Sequence, residues 1–197
     1  MPDGLSLDDR GFSALVEPHV SAGRKAEVKA SLKAIQQAFA HEQKQGLPEL
    51  ERNLRAWTTL HEQADLRRRT LDVAARIRQG FSTYVHVGIG GSDLGPRVAH
   101  EVLDSTVHNE LADERRGAPR VYFAGDTFDP RPLRELLELL EQRGDLGKTA
   151  FNIVSKSGKT PETLCTLLAI KERLGSDWLR QVVLTTGERP GASILFD

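Results

Sequence analysis

From Thr83 onward the chain repeats one unit, and that unit restricts the fold more than any other feature. A short β-rich run empties into a loop of glycine, serine, threonine or aspartate, and a helical period follows. Residues 84–87 lead into a glycine cluster, and 121–124 into Asp126, Thr127 and Asp129-Pro130. Residues 151–154 lead into Ser155-Lys156-Ser157-Gly158, and 182–184 into Thr185-Thr186-Gly187. Between them Leu133, Leu136, Leu137 and Leu140 form an i, i+3, i+4, i+7 helical stripe, with Asp129 placed to cap it and Pro130 suited to its first turn. Strand, loop and helix repeated with short connections predict an α/β fold: a parallel sheet with helices on its faces. In such sheets ligands bind beyond the carboxyl ends of the strands, where the strand order reverses. The residues to inspect are therefore those that follow each strand.

Residues 1–80 differ in character. Val28, Leu32, Ile35 and Phe39 mark one face of a helix beginning near Arg24, and Gly46, Leu47 and Pro48 break it. Leu50, Leu54 and Trp57 restart the period, and Leu66, Val73 and Ile77 make a third stripe. The expected organisation is a helical segment over 1–80 packing on a sheet domain over 81–197. Arg67, Arg68, Arg69, Arg76 and Arg78 flank the third stripe. Arginines beside an apolar stripe read as a solvated helix face rather than a nucleic-acid surface. The charge balance agrees: 27 Lys and Arg against 28 Asp and Glu leave a net charge of −1, so no nucleic-acid partner is expected.

With 39% hydrophobic residues in 197, the chain can bury one sizeable core. No apolar run approaches the roughly 20 residues a membrane span needs, and the start, MPDGLSLDDR, shows no secretory signal. No membrane partner and a cytoplasmic location are the expectation. The single cysteine, Cys165, has no intrachain disulfide partner and suits a reducing compartment. Standing beside Leu164 and Leu167, it is expected to be a buried structural thiol.

Two loops look built for a ligand. Gly88-Ile89-Gly90-Gly91-Ser92-Asp93-Leu94-Gly95-Pro96 combines four glycines with a serine at a strand end. It fails as a dinucleotide fingerprint because Asp93 stands where the third glycine belongs. It fails as a nucleotide P-loop because Pro96 replaces the lysine. A tight strand-to-helix turn without a ligand is the alternative. In the second loop, residues 155–163, Ser155, Ser157, Thr160 and Thr163 surround Lys156 and Lys159, and Pro161 opens the next helix. Ile153 occupies the upstream P-loop glycine position, so this is no P-loop either. Hydroxyls and lysines at a helix N-terminus are the donors a phosphate dianion needs, at about 1.5–3 kcal/mol for each charge-assisted hydrogen bond. Helix capping by Ser155 and Thr160, with solvated lysines, is the plainer reading.

At these loops the chain resembles the sugar isomerase (SIS) domain family and, within it, the glucose-6-phosphate isomerase family. Residues 155–163 resemble the phosphate-binding signature of SIS domains, and residues 88–96 resemble the first glucose-6-phosphate isomerase signature almost letter for letter. Asp129-Pro130 and Asp177-Trp178 are also similar to bacterial members. The resemblance covers about residues 80–187. It implies an SIS-type three-layer sandwich behind the helical N-terminal segment. It assigns Ser155, Lys156, Ser157, Thr160 and Thr163 to the substrate phosphate and lays Gly91 and Ser92 along the sugar. Lys159 departs from the Thr or Ser often found there, so it carries no assigned contact.

The resemblance also implies the chemistry. Family members interconvert glucose 6-phosphate and fructose 6-phosphate, in glycolysis and gluconeogenesis, through a cis-enediol and without metal or redox cofactor. A glutamate, a histidine, a lysine and an arginine do the chemical work. They sit beyond the first SIS domain, and the histidine comes from a neighbouring subunit. The sequence reaches Asp197 before any of them, so the expectation is an N-terminal portion with no catalytic residue of its own and no activity alone. A hexose 6-phosphate is the expected ligand and a homodimer the expected full-length assembly. His86 lies within a strand and reads as a core or sheet residue; the remaining histidines show no metal spacing and no Ser-His-Asp order. Two other readings stay open: a different SIS isomerase acting on another sugar phosphate, and a non-catalytic phosphosugar sensor.

Overall fold

Among the described residues, four strands fall where the β-rich runs and the turn residues after them place them, and all run parallel in the computed structural model. They are β1 (Thr83–Val87), β2 (Arg120–Ala124), β3 (Thr149–Val154) and β4 (Val182–Thr185). Their order across the sheet is β2-β1-β3-β4. The described residues are 10–11, 19–45, 60 and 62–187, with side chains described to residue 41 in the second of these stretches.

Alternation along the strands divides the sheet into two unlike faces. Val85, Val87, Ala124, Phe151 and Ile153 form one apolar cluster with Leu137, Leu140, Leu167 and Ile170. Those leucines and isoleucine come from α5 (Pro130–Gln142) and α6 (Pro161–Leu174), the helices over that face. Tyr84, His86, Phe123 and Asn152 belong to the opposite face. There α2 (Ala64–Gly80) and α3 (Leu94–Leu103) supply the facing side chains. The expected α/β architecture, helices on both faces of a parallel sheet, is what this part of the chain forms. Two shorter helices, α4 (Asp113–Arg116) and α7 (Trp178–Gln181), precede β2 and β4. Gln181 fastens the second junction by donating from Nε2 to the carbonyls of Leu146 at 2.6 Å and Thr149 at 2.9 Å.

The chain divides into two compact units, residues 1–64 and 65–197. In the first, α1 (Ala22–Gln45) carries Val28, Leu32, Ile35 and Phe39, and Ser21 Oγ accepts from the Arg24 amide at 3.2 Å near its start. The break at 46–48, the restart at Leu50, Leu54 and Trp57, and residues 188–197 lie outside the described residues. Within the second unit, Val73 and Ile77 of α2 are half-buried, while the five arginines around them are exposed. Among the described residues no helix is long and apolar enough to cross a membrane.

One expectation is overturned: Cys165 is exposed, not buried. Helix α6 buries Thr163, Thr166, Leu167 and Ile170, an i, i+3, i+4, i+7 set. Cys165 falls off that face, so its leucine neighbours in sequence did not decide its burial.

The cap of α5 forms as read. Asp129 accepts from the Arg131 amide at 3.0 Å, and Pro130 occupies the first turn. The Arg131 side chain and amide together hold the Asp129 carboxyl below the usual aspartate range. The resulting stability is present above that range and is lost as pH falls through it to the lower folded-state value. Asp129→Asn keeps an acceptor and removes the charge. The natural chain should therefore unfold at higher urea than this variant near neutral pH, with the two midpoints converging on acidification. A constant gap at all pH values would contradict the assignment to charge.

Candidate functional site

The strand order places both unusual loops together. The chain adds β2 on one side of β1, then crosses to the other side of β1 to lay down β3 and β4. The reversal therefore lies between β1 and β3, whose ends pair Val87 with Ile153. The loops leaving these two strands are 88–93 and 155–160, so both flank the point at which open α/β sheets bind ligands.

In the first loop the Gly88 amide continues the sheet by donating to the Ala124 carbonyl at 3.1 Å. Gly90–Ser92 then forms a tight turn, with Ser92 N donating to Ile89 O at 3.1 Å and Asp93 N to Gly90 O at 3.0 Å. Gly90 has φ +57°, in the left-handed region that favours glycine. The turn closes over Gly88 so tightly that a Cβ there would lie 2.7 Å from the Ser92 carbonyl oxygen. Gly91 is exposed and Ser92 half-buried.

Asp93, which had served only to break a nucleotide motif, is a buried anchor. Its carboxylate accepts from Arg97 Nε at 2.9 Å and Nη2 at 3.2 Å, one helical turn later. The Arg97 guanidinium lies 4.5 Å from the Phe123 ring centre and 3.8 Å from Asp126. This bidentate pair, stacked on an aromatic face, ties α3 to the loop after β2. The i, i+4 spacing of Asp93 and Arg97 was the available signal.

The second loop is folded by its own hydroxyls. Ser155 is buried; its Oγ accepts from the Gly158 amide at 3.1 Å and shares a hydrogen bond with Thr160 Oγ1 at 3.1 Å. Ser157 Oγ accepts from the Lys159 amide at 3.2 Å. The segment after β4 holds the loop from the side, because Ser155 N donates to Thr185 O and Thr186 Oγ1 to Ser155 O. Pro161 opens α6 as its position suggested. Thr160 is the N-cap residue, yet its side chain makes no capping hydrogen bond. The plainer reading, in which this hydroxyl serves only to cap the helix, therefore does not describe Thr160. The first amides of α6 keep no side-chain acceptor from it, and a helix N-terminus in that condition favours an anion.

The sequence-predicted residues fall into three groups. Gly91 and Ser92 lie on the first loop. Ser155, Lys156, Ser157 and Thr160 lie on the second, with Lys156, Ser157 and Lys159 exposed. Thr163 sits within the first turn of α6, fully buried, and its hydroxyl has no hydrogen-bond partner.

A cavity of about 670 Å³ lies elsewhere: under α2, against Tyr84, Val121, Asn152 and Val183. Its lining mixes apolar residues of α2 and of the sheet, Val73, Ile77, Val121 and Val183, with Arg78 and Asp104. The loops carry the convergent donors, so the chemistry points to them instead.

Comparison with known proteins agrees on where the informative part of the chain lies. The family model described as phosphoglucose isomerase matches residues 56–185. The glucose-6-phosphate isomerase of Symbiobacterium thermophilum is 44% identical over 127 residues, covering 64% of this chain and 26% of that protein. That of Rubrobacter xylanophilus is 41% identical over 128 residues, covering 62% and 28%. The crystal structure of a hypothetical protein from Thermus thermophilus superposes with a TM-score of 0.62 at 30% identity, over 95% of this chain and 40% of that one. The chain spans about a quarter of the length of these two curated relatives.

Proposed function

The chain belongs to the phosphoglucose isomerase family, and from that premise we propose that its two loops bind a hexose 6-phosphate end to end. The phosphate lies against the second loop, at the N-terminus of α6. Ser155, Lys156, Ser157, Thr160 and Thr163 supply or shape the donors there, and Gly91 and Ser92 run along the sugar. The observation that carries this reading is the pairing of a helix N-terminus lacking a Thr160 side-chain cap with a glycine turn, side by side at the strand reversal. Lys156 adds charge where a dianion sits, and Gly91 offers an exposed backbone against which a sugar can lie. The buried Thr163 hydroxyl, lacking a partner, supports the floor of the same turn rather than its rim.

In this reading the chain is one SIS-type portion of a longer cytoplasmic isomerase that works as a homodimer. The whole protein interconverts glucose 6-phosphate and fructose 6-phosphate. The groups that move the proton and open the ring come from the rest of that protein. The portion described here orients the substrate by its phosphate and needs no metal or redox cofactor to do so.

Titration followed by amide chemical shifts tests the assignment. Glucose 6-phosphate should perturb residues 155–163 and 90–92, whereas glucose alone should leave 155–163 unchanged. Equal response of the second loop to both sugars rules out phosphate recognition there.

A further inference from the structure

We propose that His86 is the positioning residue of the glycine turn, held in a single tautomer by a hydrogen-bond chain that crosses the sheet from β4. The proposal rests on the phosphosugar reading only for its effect on ligand affinity; the tautomer follows from geometry alone.

The chain of contacts is continuous. Thr185 Oγ1 lies 2.8 Å from Asn152 Oδ1, and Asn152 Nδ2 lies 2.9 Å from Tyr84 Oη. Tyr84 Oη is 3.4 Å from His86 Nδ1, and His86 Nε2 is 2.7 Å from the Ser92 carbonyl oxygen. Direction can be assigned at each link. The Asn152 carbonyl oxygen only accepts, so Thr185 donates to it. The Asn152 NH2 group only donates, so Tyr84 accepts from it and keeps its own O–H for His86 Nδ1. At the far end the Ser92 carbonyl only accepts, so His86 Nε2 carries the hydrogen. Both ends thus require the same form of the ring: Nε2 protonated, Nδ1 bare. Burial pushes the Tyr84 phenol above its ordinary value, with the Asn152 bond pulling the other way, so the tyrosine keeps the proton it must donate.

The acceptor at the end of the chain gives it a function. The Ser92 carbonyl is the group that closes over Gly88, and His86, only 2% exposed, holds it from inside the sheet. That carbonyl belongs to the peptide joining Ser92 to Asp93, so the bond fixes the end of the turn on which the exposed Gly91 sits. His86 itself touches no ligand position. It acts on the sugar-facing loop; the second loop is folded by its own hydroxyls and meets the hydrogen-bond chain through Thr185, whose carbonyl accepts from Ser155 N.

The test uses the full 197-residue chain with inorganic phosphate and glucose 6-phosphate as probes. Imidazole nitrogen shifts should show His86 with hydrogen on Nε2; Tyr84→Phe should keep that form, because the Ser92 carbonyl still accepts from Nε2, while the Nδ1 shift moves as its donor is lost. His86→Leu should speed amide exchange at 90–93 and weaken glucose 6-phosphate about tenfold, the loss of about 1.4 kcal/mol, while inorganic phosphate binds unchanged. His86→Gln, which retains a donor for the Ser92 carbonyl, should restore most of that affinity. Hydrogen on Nδ1 in the natural chain, or a His86→Leu chain with unchanged exchange at 90–93, overturns the proposal. If His86→Leu does not fold, the tautomer in the natural chain and the Nδ1 shift in Tyr84→Phe decide the matter. If neither probe binds the natural chain, the phosphosugar reading fails, and the tautomer and exchange measurements still judge His86.

Discussion

Replacing Phe151 by alanine is expected to lower the unfolding free energy of the sheet unit by about 3–5 kcal/mol. Phe151 is fully buried at the middle of the sheet, opposite Val85 of β1 and Val182 of β4. It shares one apolar cluster with leucines of α5 and an isoleucine of α6, so truncation leaves a cavity between the sheet and the two helices over that face. Domains of this size commonly hold only about 5–15 kcal/mol in total, so the loss leaves the fold marginal. The site should suffer with it, because β3 runs directly into Ser155. Urea unfolding of the natural chain, Phe151→Ala and Phe151→Leu makes the comparison, with leucine retaining most of the stability. A midpoint for the alanine variant close to that of the leucine variant shows that the two helices do not close on this face of the sheet.

The sheet was legible because each strand has a small vocabulary and a punctuated end. The β-rich runs at 84–87 and 151–154 gave the strands, while the buried face of Val85, Val87, Phe151 and Ile153 came from the structure. The glycine and serine clusters marked where β1 and β3 stop, and Asp129-Pro130 gave the start of α5 to the residue. What escaped is of another kind. The exposure of Cys165 was available in the 3.6-residue period of α6, but the adjacent leucines suggested the opposite. The burial of Asp93 was signalled only by its i, i+4 spacing to Arg97; the support of that guanidinium by Phe123 of β2 comes from a distant strand, which no local pattern encodes. The hydrogen-bond chain through Tyr84, His86 and Asn152 depends on the register of β1 against β3, with His86 opposite Asn152. A polar residue at every second strand position reads simply as one face of a sheet until the neighbouring strand is known.

The glycine loop offers the sharpest separation of site from scaffold. Gly88→Ala should cost about 1–3 kcal/mol if the turn holds its shape, because the added carbon meets fixed backbone. That carbon would lie 2.7 Å from the Ser92 carbonyl oxygen, 3.0 Å from its carbon and 3.2 Å from Ser92 Cβ. A flexible side chain could swing away from such a contact, whereas a carbonyl held by His86 cannot without breaking a 2.7 Å hydrogen bond. The alternative is for the turn to open, which moves Gly91 and Ser92 away from the sugar. Either response should weaken glucose 6-phosphate strongly and leave inorganic phosphate at the second loop nearly unaffected. Gly95→Ala is the matched control. Its added carbon meets nothing within 4 Å, and Gly95 lies inside α3, where alanine is favoured over glycine by about 0.5–1 kcal/mol. The two variants add the same methyl group to the same nine-residue segment, with opposite expected signs in stability. Equal stability and equal affinity in both would mean that the turn over Gly88 is soft. The glycine there would then reflect only a strand ending, with no constraint on how the sugar is held.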